Sequence, residues 1–185
     1  FVVSSTGNPE GSDEVSYLVV GGGAGGGVKR GGGGGAGGFR EGKSPQTPYT
    51  ASPIVAPAGL PVTAQTYPIV VGGGGTAGVS NNPICANATT ANTNGSVSSF
   101  SSITSAGGGA GGGTGTPTGA GAAGASGGGG VSSMSGRPSP ASNQGGAGNT
   151  PPVSPAQGFA GGANCEPQPA GQAGGGGGAT AVGAD

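Results

Sequence analysis

The chain's reactive side chains are few and scattered. It has no His, so neither a Ser–His nor a Cys–His pair can form, and no His-based metal site is available. Carboxylates cluster once, at Glu10, Asp13 and Glu14. A glycosidase needs two facing carboxylates, and Glu10 with Asp13 or Glu14 is the one pairing on offer. These acids sit among turn residues and read as a solvated loop. Cys85 and Cys165, far apart in sequence, show neither metal nor redox spacing; a disulfide between them is open to the chain, and they read first as ordinary thiols, buried or free. The run Tyr17-Leu18-Val19-Val20 into Gly21-Gly22-Gly23-Ala24-Gly25 mimics a strand before a dinucleotide loop. That fingerprint requires a following helix and an acid about 20 residues on, and more glycine follows instead. Two N-glycosylation patterns, at Asn87 and Asn94, arise readily in a chain rich in Asn, Ser and Thr. The sequence therefore predicts no enzyme, no cofactor and no metal. Four residues in loops are candidates for surface recognition. Tyr49 is rigid and amphipathic, Arg137 is the one strong charge between Lys43 and Glu166, and Asn81 and Asn82 open a polar loop.

The elements that must position these residues are unusual. Of 185 residues 51 are Gly and 16 Pro, and Trp is absent. Val, Ile, Leu and Phe make up about a seventh of the chain, below the share at which an ordinary core forms. Net charge is −1, so the self-repulsion that accompanies disorder is missing. There is no basic patch for nucleic acid and no apolar stretch approaching the roughly 20 residues of a membrane span. No signal peptide is visible, and a first residue of Phe1 reads as a segment of something longer or a processed chain.

Ordering such a chain costs about 1–2 kcal/mol per residue, most for Gly. Backbone hydrogen bonding must offset it. Glycine runs adopt the polyproline II conformation, with three residues per turn and no internal hydrogen bonds, so every N–H and C=O must find a partner in a neighbouring segment. The predicted fold class is mostly irregular and β. A few short strands join a bundle of polyglycine II helices linked by Pro-, Ser- and Asn-rich loops. No α-helix is expected, since Gly costs about 1 and Pro about 3 kcal/mol in a helix interior. A single domain over 1–185 is expected, with a β start at 1–20 and glycine segments and loops over 21–185.

Along the chain, 1–5 and 15–20 read as a hairpin or pair of strands around a turn-rich loop. Glycine blocks occupy 21–38, 72–75, 107–113, 119–130, 145–148, 161–162 and 174–178. The Pro-rich stretch 39–61 reads as a long extended loop, 67–71 as a third strand and 97–103 as a fourth. Phe39 and Phe159, flanked by glycine, read as packing residues. The spacing is not collagen's, which needs Gly at every third position.

Several phrases occur in a characteristic order. They are Phe1-Val2-Val3-Ser4-Ser5, Tyr17-Leu18-Val19-Val20 into glycine, Gly37-Gly38-Phe39-Arg40, Val62-Thr63-Ala64-Gln65-Thr66-Tyr67, and Gly95-Ser96-Val97-Ser98-Ser99-Phe100. Asn149-Thr150-Pro151-Pro152-Val153-Ser154-Pro155-Ala156-Gln157-Gly158 follows, and then 174–178. This succession resembles the glycine-rich domain of tail fibre and tail-tip proteins of tailed bacteriophages, over nearly the whole chain. The Pro-rich insert at 43–61 and the Cys85 loop depart from it. The resemblance implies a virion structural protein, an extracellular tail fibre location and polyglycine II bundles with host-binding loops. It also implies a homotrimer, other virion tail proteins as partners, and a host glycan or outer-membrane protein as receptor. Two other functions are a purely structural shaft or capsid decoration protein and a glycine-rich ice-binding protein. The irregular spacing of small residues argues against the last.

Overall fold

The structure, a computed structural model, describes residues 1–7, 13–79, 91–113, 119–132, 144–164 and 172–185. Among the described residues there is no α-helix. The strands are short: β1 (Glu14–Val15), β2 (Tyr17–Val20), β3 (Phe39–Gly42), β4 (Leu60–Pro61), β5 (Ile69–Val70), β6 (Ser98–Phe100) and β7 (Ile103–Ser105). β1 pairs with β4, β2 with β3, and β5-β6-β7 form a three-stranded sheet, all antiparallel. The hairpin expected between 1–5 and 15–20 does not form. Val2 instead bridges Thr66, and the 15–20 run divides at Ser16 between two sheets. Strands this short are chosen by non-local partners, which a local pattern does not encode. The 97–103 expectation resolves into β6 and β7, turned at Ser101 with φ 53°. β3 lies where an extended loop was expected.

Glycine makes up the bulk of the interior, and its hydrogen bonds repeat every third residue. Gly21, Ala24 and Gly27 donate to Gly38, Gly35 and Gly32 at 2.9, 3.0 and 3.0 Å. Gly32, Gly35 and Gly38 donate onward to Gly112, Gly109 and Ala106. Gly109 and Gly112 donate to Ser126 and Gly129, and Gly127 and Gly130 to Phe159 and Gly162. A period of three with every bond between segments is the pattern of packed polyglycine II helices, as the composition predicts.

The pairings define a triangular lattice. One layer runs 72–79, 21–28, 31–38, 173–178, 181–185. The next runs 91–97, 106–113, 126–132, 158–164, each segment seated between two of the first. The 119–124 and 144–148 segments form a third. At the centre, 126–132 bonds to 31–38, 106–113, 119–124, 144–148, 158–164 and 173–178. Its glycines leave no room for a side chain. A Cβ on Gly127 would overlap the Gly146 carbonyl oxygen, on Gly128 that of Ala110, and on Gly129 that of Gly174.

Candidate functional site

The lattice fixes where the connections fall. Because β2 runs into 21–28 and 31–38 runs into β3, the strands cap one end of the bundle. The apolar core is gathered there. Tyr67 is 5 % exposed and packs against Phe1 and Phe100 with ring centroids 6.3 and 6.2 Å away. Hydrogen bonds from Thr63 hold its phenol below the usual tyrosine range. Beside this trio an open apolar groove of about 360 Å³ runs between Leu18, Val20, Ile69 and Val71.

The same end carries the 149–157 turn. Gln157 is 1 % exposed. Its Nε2 donates to the Pro151 carbonyl (2.8 Å) and its Oε1 accepts from the Ala106 N–H (2.9 Å). Asn149 Oδ1 accepts from the amides of Val153 and Gln157 at 3.2 and 3.3 Å. The Asn-Thr-Pro…Gln-Gly phrase is thus a clamp that reverses the chain between 144–148 and 158–164. Phe39 and Phe159 are half-buried, and the main-chain carbonyl of Phe159 joins the lattice.

Tyr49 stands on the Pro-rich loop at this end, 36 % exposed. The loop is built on a buried acid. Glu41, 8 % exposed, faces Leu18 across the β2–β3 ladder, and its Oε2 accepts the Ser52 N–H at 2.9 Å. Burial pushes its pKa up. Hydrogen bonds from Ser52 and Tyr49 and the nearby Lys43 charge outweigh that and hold it below its ordinary value of 4.5. The Tyr49 phenol is correspondingly raised, by burial and by the Glu41 carboxylate. Lys43 Nζ lies 5.1 Å from the Tyr49 ring centroid and donates to the Tyr49 carbonyl at 2.5 Å. Ring and cation thus form one surface group anchored on the buried carboxylate, which suits stacking against a planar or sugar-like face. Glu41 and Lys43 are absent from the sequence expectation. The one signal for them was two opposite charges, two residues apart, before a Pro-rich loop.

A family model described as a glycine-rich domain matches residues 3–185. The chain belongs to the glycine-rich domain family. No curated protein and no solved structure matches it. In this glycine-rich domain Asn81, Asn82 and Arg137 lie outside the described residues, as do Cys85, Cys165 and Asn87. The residues flanking those segments are placed. Val79, Ala91, Gly113, Gly119, Ser132, Gln144, Asn164 and Gln172 end their segments on the side marked by the Val28–Gly31 turn, opposite Tyr49. The structure therefore does not bring Tyr49 to the flanks of the other candidates. Gly119, at φ 66°, is one of these ends and takes a conformation that favours glycine. Asn94, the other glycosylation candidate, is engaged within the lattice, its Oδ1 accepting from the Ala110 N–H at 2.8 Å. Among the described residues no group of His, Cys, Asp and Glu could hold a metal ion, and no helix is long and apolar enough to cross a membrane.

Proposed function

We propose that this glycine-rich domain is a tail fibre or adhesin domain of a bacteriophage. On this reading it is an extracellular virion structural protein that presents the ends of its bundle to the host surface. The observation that carries the proposal is the segregation of the molecule. A side-chain-poor lattice forms the body, while among the described residues the strands and the Tyr49 loop lie at one end and Val79, Gly113, Ser132 and Asn164 end their segments at the other. A body of this kind holds loops at fixed separation, and loops carried on a rigid scaffold are where recognition concentrates. The receptor class is a host-surface glycan or outer-membrane protein, and the other partners are tail proteins of the same particle. Each contact is weak, and several copies per particle raise avidity far above single-site affinity.

The test is a density map of the intact particle that locates this chain, paired with adsorption in the presence of the purified domain. A place at the distal end of a fibre, with free domain competing for adsorption, is the expected result. A place within a shaft or on the capsid shell, with adsorption unchanged by the free domain, sinks the receptor reading. Polyglycine packing would then be the function.

A further inference from the structure

The first layer presents the wider open face of the lattice, four segments across; the two-segment third layer also leaves the N–H groups of Ala120, Ala123, Gly145 and Ala147 donating to none of the described residues. In the layer 72–79, 21–28, 31–38, 173–178, the N–H groups of Gly23, Gly26, Gly34, Gly74, Ala77 and Gly176 donate to no group among the described residues. The carbonyls of Ala24, Gly27, Gly34 and Gly176 likewise accept from none. These positions follow the three-residue period of the interior bonds. They therefore point where the next layer of the lattice would lie. Gly23, Gly33, Ala36, Gly74 and Ala77 are exposed, and no side chain larger than a methyl stands among these positions. The face is thus a flat array of backbone donors and acceptors, repeating about every 9.3 Å along each segment. It is the polyglycine counterpart of an open sheet edge.

We infer that this face is where a second copy of the chain docks, layer upon layer, about a two-fold axis lying in the interface. An occupant must approach backbone to backbone and supply carbonyls and N–H groups at the same pitch. A polyglycine II face does both, and the chain's own open face is one. The outward positions named here are Gly or Ala, so no like charges oppose each other across the stack. The segments are about 20–25 Å long at a rise of about 3.1 Å per residue. With lateral spacings near 5 Å the face covers roughly 500 Å². Two copies bury roughly 1,000 Å², the size at which a specific interface begins. An isologous pair covers the first layer of both copies and stops growth on that side.

Sedimentation and amide exchange on the intact chain test the inference. The expected mass is twice the 16.4 kDa of one chain. The amides of Gly23, Gly26, Gly34, Gly74 and Gly176 should exchange about a hundredfold more slowly than exposed loop amides. Gly23→Lys with Gly74→Lys should give a folded monomer that loses that protection and whose melting temperature no longer rises with protein concentration, because a Cβ at either site meets nothing nearer than 3.7 Å within its own chain. Gly73→Lys is the control. It lies three residues before Thr76, whose hydroxyl is 3.2 Å from that of Thr93 on the flank of the bundle, and it should leave the dimer intact. A monomeric wild type whose face amides exchange at loop rates overturns the inference. So does an oligomer of any size that is indifferent to the lysines at 23 and 74. The same domain could still serve as an adhesin after either result.

Discussion

Gly128 and Gly23 share residue type and extended segment conformation, yet they sit at opposite extremes of constraint. Gly128 lies on the central segment, where a Cβ would overlap the Ala110 carbonyl oxygen. Gly23 lies on the open layer, where the nearest atom to a Cβ is a carbonyl oxygen 4.0 Å away. Glycine is indispensable where a segment is surrounded and replaceable where one side faces water. The constraint comes from the neighbours rather than from the residue's own backbone angles.

The sharpest break of that comparison is Gly128→Ala or Gly129→Ala. The neighbour in each case is main chain held by its own hydrogen bonds and cannot step aside. Overpacking of this kind exceeds the usual 1–3 kcal/mol, and a loss of more than about 4 kcal/mol is expected. Denaturant midpoints or loss of expression would show it. A near-neutral result would mean that the lattice can expand and that the close approach is dispensable.

Next in size is Gln157→Ala. It orphans the Ala106 N–H and the Pro151 carbonyl in a buried place, for an expected cost of about 2 kcal/mol. Gln157→Glu should cost a similar amount, since a carboxylate cannot donate to Pro151. If the alanine variant melts with the wild type, the 149–157 clamp is ornament rather than support.

Glu41 gives a smaller effect that depends on pH. Its folded pKa is depressed, so its contribution is fully present above the unfolded value near 4.5 and fades as pH falls through the lower folded value. Stability of the wild type should therefore fall on acidification below about pH 4.5. Glu41→Gln should be less stable near neutrality and show a flatter acid limb. Parallel curves for the two proteins would remove Glu41 as the anchor of the Tyr49 loop.

The smallest change is expected at Gly23→Ala or Gly74→Ala, where space is free. At concentrations where the chain is monomeric, removing backbone freedom from the unfolded chain should leave stability unchanged or raise it by up to about 1 kcal/mol. A marked loss under those conditions would mean that the space beside these residues is filled within the single chain.

Much of the architecture was legible. The glycine blocks named most of the lattice segments to within a few residues, but not 91–97, which lies largely in a stretch that reads as a polar loop, nor 181–185, which carries no glycine block. The strands were legible as β-prone runs at 15–20, 67–71 and 97–103, but their partners were not. Tyr17–Val20 pairs with Phe39–Gly42 across the whole first glycine pair, and nothing in Phe-Arg-Glu-Gly announces a strand. Of the recognition candidates, Tyr49 could be found as an aromatic on a polar loop. Its partners Glu41 and Lys43 became visible only once β3 had formed.

By itself, the sequence determined that no helix or conventional apolar core could form. Backbone-to-backbone bonding between glycine segments was then the remaining way to order the chain, because glycine leaves the main chain bare and proline breaks helices. Tertiary structure alone decided which segment lies beside which, which one is surrounded, and which layer stays open. A polyglycine II helix makes no hydrogen bonds within itself. All its partners are distant in the chain, and segments so alike in composition carry no side-chain code that names a neighbour.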